Sequence, residues 1–365
     1  MLSEGVLRRD GHLQAEGNRA IWGGERAVDK VFLARPQGAG WHLDRRRFEA
    51  RFAEAACQAG AEWRWGCRVV RCARPRDGRG TGGTGGRSGA AGRPRWRIEL
   101  SERSEAVGPG RPDGVAARPE GSVLEADWLL DATGRRARVA RQVAGAWRVR
   151  YDRLIGVAAM LGQPGRAAAA EAGSAWAPDT ATPDGYTLVE ATPDGWWYSA
   201  ALADGRLAIV LFGDGDLLER SLLGPRPDRE VWQRRLRQAP ATRERVERLG
   251  PCSPARLAAM PAESSRLERI AGPGWLALGD AAAAHDPLSS HGITAAMGSG
   301  FYGGHAVADL LAGRNEAEAA YLDVMERSYS AYLDLLREHY AAERRWPEAP
   351  FWRRRQQPGY ALEPV

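Results

Sequence analysis

Between Gly274 and Gly304 the chain reads GWLALGDAAAAHDPLSSHGITAAMGSGFYGG, a segment that gathers several chemically capable residues. Asp280 follows Gly279 at the end of the apolar run Trp275 to Leu278. That run reads as a buried strand, and the glycine after it tolerates close backbone approach. A carboxylate at such a strand end can accept hydrogen bonds from the hydroxyls of a sugar-like chain. His285 and His291 flank Asp286 and Pro287, and loop histidines can move protons near neutral pH. From Gly292 and Ile293 onward, Ala295, Ala296, Gly298, Ser299 and Gly300 repeat on a helical pattern. A helix with so small a face can lie close to a sheet or a ligand. Its N-terminus offers free N–H groups and a positive dipole end. Strand, carboxylate, proline-containing loop and small-faced helix together form a cofactor seat, with the helix end facing phosphate or an electron-rich ring edge.

Other elements must position this segment. Asp44 is a fair N-cap for a helix that runs through Phe48, Phe52, Ala55 and Ala56 to a C′ glycine, Gly60. Short strands are expected near Ile21-Trp22 and Val31-Phe32-Leu33, and longer ones over Trp63 to Cys72 and Trp96 to Leu100. Trp128-Leu129-Leu130 is an apolar strand that enters Asp131-Ala132-Thr133-Gly134. Leu154 to Met160 is apolar. Tyr186 to Glu190, Trp196 to Leu202 and Leu207 to Phe212 alternate with the turn signals Pro193-Asp194-Gly195 and Ala203-Asp204-Gly205. This predicts an antiparallel meander. Residues 226–250 and 315–345 read as helical. Residues 73–95 and 101–120 are low-complexity, Gly- and Pro-rich insertions that cannot bury a core.

The 365 residues suffice for one large domain or two interleaved ones. The formal net charge is +6, yet Lys30 is the only lysine and every other basic side chain is arginine. With 44 glycines, this pattern fits a GC-rich coding bias. No compact basic run alternates with aromatic residues, so a nucleic-acid partner is not expected. Cys57, Cys67, Cys72 and Cys252 lack metal-ligand spacing and any CxxC pair, so no metal is expected and the thiols read as reduced in a cytoplasmic protein. The sequence opens without a basic n-region or an apolar h-region, and no apolar run reaches bilayer length.

The segment GDAAAAHDPLSSHGI resembles the GD…DP…G(I/L) segment of the FAD-dependent aromatic monooxygenases and tryptophan halogenases. DATG at Asp131 to Gly134 resembles a second FAD motif of that family, and Leu43-Asp44-Arg45 its LDR segment. The resemblance implies FAD as cofactor. Asp280 would contact the ribityl or phosphate side. Gly279, Pro287, Gly292 and Ile293 would place backbone near the isoalloxazine. Asp131 and Gly134 would pass close to the cofactor, and Arg45 would reach it. The meander would wall the substrate cavity, with Trp196, Trp197 and Tyr198 as its aromatic candidates. His285 and His291 are the candidates for proton transfer.

A narrower likeness is to the maturation flavoproteins of tryptophylquinone enzymes, such as those serving glycine oxidase and lysine ε-oxidase. It rests on GHL..GN..WG, GWHLDR, PDGWWYSA, DPLSSHGI and E.RW…FW.RR. The resemblance implies hydroxylation of a peptidyl tryptophan on a partner protein. Halogenases of free indoles carry a WxWxIP segment and a relay lysine. This chain has GWWYSAAL instead, and Lys30 in DKVFLARPQGAGW does not match the relay position. Halogenation is therefore the alternative. Reduced flavin and NAD(P)H are both candidate electron donors.

The expected fold is α/β, a Rossmann-like FAD-binding domain interleaved with an antiparallel-sheet substrate domain and followed by a C-terminal helical segment. The expected boundaries are 1–147 with 272–312, then 148–271, then 313–365. The family opens with a strand, a GxGxxG turn and a helix that hold the pyrophosphate, a unit on the order of 30 residues. No such motif precedes Gly11. This predicts an internal start, and a truncated, FAD-free binding protein as a further alternative.

Overall fold

The computed structural model describes residues 4–32, 39–74, 96–102, 122–162, 185–250, 256–357 and 359–360. Most of both low-complexity insertions, and Cys252, lie outside the described residues. The chain divides into two units, one of residues 1–59, 151–263 and 333–365, the other of 60–150 and 264–332.

The first unit is built on a seven-stranded sheet. Its order is Leu257–Pro261, Leu154–Leu161, Leu207–Asp214, Gly195–Ala201, Tyr186–Thr192, Gly17–Ile21 and Val28–Val31. The expected meander is its centre, and Trp196 pairs with Phe212 while Trp197 pairs with Leu211. Gly17–Ile21 joins it in parallel to Tyr186–Glu190. Strand side chains alternate, so each residue step changes face. On one face Val157, Leu161, Trp197, Ile209 and Leu211 pack with Leu222, Trp232 and Leu236 from the helices that follow. Trp196 points the other way and stacks on Phe212 with ring centroids 4.1 Å apart.

The C-terminal segment completes that second face. Trp352 Nε1 donates to the Thr192 carbonyl at 2.8 Å, and Trp196 Nε1 to the Tyr340 hydroxyl at 3.1 Å. Glu343 accepts the Gly23 N–H at 2.8 Å. Arg355 grips Asp214 with two bonds of 2.7 and 3.0 Å, both side chains buried. The ERRW and FWRRR pattern is thus a clamp on the sheet. The expected helix over 45–58 is present, with Asp44 accepting from the Arg46 and Arg47 N–H groups.

The second unit holds three small sheets. Leu129–Asp131 and Trp275–Ala277 run parallel, and Ala271–Gly272 pairs antiparallel with the latter. Cys67–Ala73, Trp96–Glu102 and Val123–Ala126 form an antiparallel meander. The strand expected over Trp63 to Cys72 therefore starts later, because Gly66 takes a positive φ of 72° just before it. Arg148–Arg150, Ser265–Leu267 and Ala283–Ala284 make the third sheet. Leu129, Val139, Ala140, Trp275, Ala277 and Ala281 belong to one core beneath the Arg138–Ala144 helix. The Gly292–Leu311 helix and the first part of Ala317–Ala342 also belong to this unit. Residues 1–59, grouped by sequence with the FAD-binding segments, pack in the unit of the large sheet, since Gly17–Ile21 and Val28–Val31 extend it.

Removing the Asp214 carboxylate would leave the Arg355 guanidinium buried without its anion. Asp214→Ala is expected to lower unfolding free energy by about 3–5 kcal/mol, read as the denaturant midpoint. A change near zero would mean that the clamp does not hold the sheet.

Candidate functional site

Parallel strands Leu129–Asp131 and Trp275–Ala277 carry their motifs to neighbouring ends, as Leu278 donates its N–H to the Asp131 carbonyl at 2.8 Å. The two segments DATG and GD are thereby side by side. Asp131 is fully buried. Its carboxylate accepts from the Thr133 N–H at 2.9 Å, the Thr133 hydroxyl at 2.6 Å and the Ala140 N–H at 2.7 Å. These three bonds commit the buried carboxylate to shaping the 132–140 turn. Asp131, expected to pass close to the cofactor, is thus fully buried within its own turn. Gly134, with φ of 68°, lies on that turn, and a side chain there would meet open space.

Asp280 differs. Its side chain is 42% exposed and its nearest cation is the Arg135 Nε at 3.8 Å. The backbone behind it is fixed by Arg148, whose guanidinium donates to the Asp280 carbonyl at 2.9 Å and the Ala281 carbonyl at 2.8 Å. Gly279 takes a φ of 53°, and its N–H donates to the Ser299 hydroxyl at 2.7 Å. A short helix, Gly279–Ala282, follows the strand directly. Arg135 and Arg148 were not singled out from sequence. Arg135 directly follows DATG, which is the one signal that would have pointed to it.

The small-faced helix spans Gly292–Leu311. Its buried residues are Ser299, Gly303 and Ala306, so one small stripe faces the strand end. A Cβ on Gly303 would lie 2.4 Å from Leu278 Cδ2, a separation that no side chain tolerates without displacing its neighbour. Side chains added at Gly292, Gly298 or Gly300 would meet nothing within 4 Å. The N-terminus has no side-chain cap, so its leading N–H groups are available for an acceptor.

The loop before it is held from within. Asp286 is buried, accepts the Leu288 N–H at 2.8 Å, and donates its own N–H to the Tyr332 hydroxyl at 2.7 Å. Tyr332 also bonds Ser264 at 2.7 Å. Pro287 is exposed on the resulting 3-10 turn, and Ile293 is half-buried. His285 stands edge-on to Tyr332 and Tyr329, with centroids at 4.5 and 5.5 Å. Its Nδ1 is buried without a partner among the described residues. Burial, with His291 and Arg135 adding repulsion, lowers its pKa to about 4. A neutral ring at physiological pH results. His291 is exposed, and its Nδ1–H donates to the Ser289 carbonyl at 2.7 Å, which leaves Nε2 facing outward.

The remaining candidates lie in the other unit. Arg45 is exposed in the first helical turn, where Nε donates to Glu49 at 2.9 Å. Trp196 and Trp197 are fully buried on opposite faces of the sheet, so both serve as core rather than as a cavity wall. Tyr198 is half-buried, and its phenol, bonded to Thr187, is pushed up by desolvation.

The half-exposed carboxylate, the open glycine positions and the uncapped helix end suit a large polar ligand with hydroxyls and phosphates. Comparison with known proteins agrees with that chemistry. The family model for tryptophan halogenase matches residues 110–361. The chain belongs to the tryptophan halogenase family. A relative, the putative FAD-dependent oxidoreductase LodB of Marinomonas mediterranea, is 26% identical over 339 residues, covering 93% of this chain and 77% of that protein. Among solved structures, the myxobacterial chondrochloren halogenase CndH superposes with a TM-score of 0.72 at 17% identity, over 96% of this chain and 72% of CndH. QhpG, a peptidyl tryptophan dihydroxylase essential for tryptophylquinone cofactor biogenesis, gives 0.66 at 22% identity, over 96% of this chain and 66% of QhpG. The FAD-dependent flavoprotein fold expected from sequence is thereby shown. No described helix is long and apolar enough to cross a membrane.

Two outcomes follow from this geometry. Unfolded, His285 takes up its proton near its ordinary value of about 6.5, and folded only near 4. The unfolded chain binds more protons in that window, so stability falls as pH drops through it. His285→Phe is expected to flatten that fall in denaturant midpoints measured against pH, and an unchanged slope would contradict it. Asp131→Ala would orphan three donors and cost about 3 kcal/mol, read by the same midpoints at neutral pH.

Proposed function

We propose that the protein is an FAD-dependent monooxygenase that hydroxylates a peptidyl tryptophan on a partner protein, as a step in forming a tryptophylquinone cofactor. Bound FAD, once reduced, supplies oxygen activation. The chain's own residues bind, orient and shield. The Asp280 carboxylate accepts hydrogen bonds from the ribityl or phosphate side, and Arg148 holds its backbone in place. Backbone at Pro287, Gly292 and Ile293 flanks the ring system, and the uncapped helix N-terminus presents N–H groups to electron-rich acceptors. Gly134 leaves room for close approach.

The observation that carries hydroxylation over halogenation is Lys30. It is the only lysine in the sequence, and it lies exposed on the strand Val28–Val31, its backbone paired to Asn18. Within these 365 residues no lysine lies on the proposed flavin-binding segments to serve as a relay. PDGWWYSA forms a hairpin whose two tryptophans are buried in core packing, which supports a structural reading of that motif. Neutral His285 and outward-facing His291 Nε2 are the available proton acceptors near the loop.

The test is mass spectrometry of a tryptophan-bearing partner protein after incubation with this protein, FAD, a reductant and oxygen, with and without chloride or bromide. Gain of one or two oxygen atoms on tryptophan, independent of halide, is expected. Halide incorporation into the peptide or into free indole would overturn the proposal. Asp280→Ala is expected to weaken FAD binding by about tenfold or more, the scale of one charge-assisted hydrogen bond, followed by flavin fluorescence.

A further inference from the structure

A cavity of about 340 Å³ opens beside the amino-terminal end of the Trp275–Ala277 strand, lined by Arg74, Trp96, Gln142, Arg269 and Trp275 among others. Asp280 lies beyond the carboxyl end of that strand, and neither it nor any other proposed flavin contact lines the cavity. The lining carries two guanidinium groups and no carboxylate. Its volume falls within the range of small-molecule sites, about 300–1,000 Å³.

Arg74 is the group that calls for a ligand. Its guanidinium lies over the Trp96 indole, 4.6 Å from the ring centroid. Its Nε and Nη2 are buried and have no hydrogen-bond partner among the described residues. Buried N–H donors left unpaired are costly, and a carboxylate or phosphate oxyanion can accept from two donors of one guanidinium at once. The neighbours are already satisfied. Trp96 Nε1 donates to the Gly274 carbonyl at 2.7 Å, and the Gln142 side-chain oxygen accepts the Cys72 N–H at 3.0 Å. Arg269 uses Nη2 on the Ala144 carbonyl at 3.1 Å, at the end of the Arg138–Ala144 helix. The rest of its charge adds to the positive potential of the pocket.

We infer that this cavity is a second ligand site, separate from the flavin seat, for a small organic oxyanion held by Arg74 and Arg269. The oxyanion chemistry is shared by phosphate esters and aromatic carboxylates, and the size suits a body no larger than a mononucleotide.

The test uses the full chain and its melting temperature in inorganic phosphate, AMP or benzoate at matched ionic strength. At least one probe is expected to raise the wild-type melting temperature. A response to phosphate or AMP alone identifies a phosphate site, and one to benzoate alone a carboxylate site. Arg74→Met is expected to melt higher than wild type without any probe, since it removes two unpaired buried donors, and to lose the rise. Arg269→Gln, at an exposed position, is expected to keep the fold and weaken probe binding roughly tenfold. No rise with any probe would overturn the inference. So would a wild-type rise retained in Arg74→Met or Arg269→Gln, which would place the anion elsewhere.

Discussion

Gly303 stands where a Cβ would lie 2.4 Å from Leu278 Cδ2, and one turn earlier the Ser299 hydroxyl receives the Gly279 N–H. This close approach of helix to strand end sets the position of everything that follows Leu278. The turn at Gly279 needs its positive φ to redirect the chain under the helix. Only then does Asp280 emerge with its carboxylate in reach of solvent. The small residues of this helix therefore have two separate physical reasons. Ser299, Gly303 and Ala306 permit packing, while Gly292, Gly298 and Gly300 leave space unfilled by protein.

Charges in the same unit divide in the same manner. Asp131 and Arg148 direct their hydrogen bonds to neighbouring backbone and hydroxyl groups, and so stiffen the two strand ends. Asp280 and Arg135 sit farther apart than a tight ion pair. Arg135 meanwhile donates to the His285 carbonyl at 3.1 Å, linking the DATG turn to the proline-containing loop. A site built this way is preorganised: the scaffold groups do not need to move for the exposed carboxylate to accept donors.

Much of this was legible in the sequence because it rests on local chemistry. Asp44 and Gly60 bracket their helix by capping, and the turn signals around Pro193 and Ala203 delimit strands by backbone geometry. The GD segment announced a strand, a turn and a small-faced helix, and all three are present. What escaped sequence reasoning is set by partners far along the chain. Asp131 reads as an available carboxylate until Ala140 and Thr133 are seen to consume it. Trp196 and Trp197 read as candidate cavity walls, but Tyr340, Phe212 and Trp232 enclose them. Arg148 lies in an unremarkable strand, and only the fold brings it to Asp280 more than a hundred positions away. Residues 1–59 could not be assigned to the large sheet from sequence, since the parallel pairing of Gly17–Ile21 with Tyr186–Glu190 leaves no local mark.

The central claim is that the Asp280 strand end and the adjoining helix N-terminus form a flavin seat. Its most direct measurement is hydrogen exchange of the backbone amides with and without FAD. The account predicts added protection confined chiefly to peptides covering Gly134 to Arg136 and Leu278 to Ile293. Flavin binding with no protection there, or protection only in other segments, would contradict it.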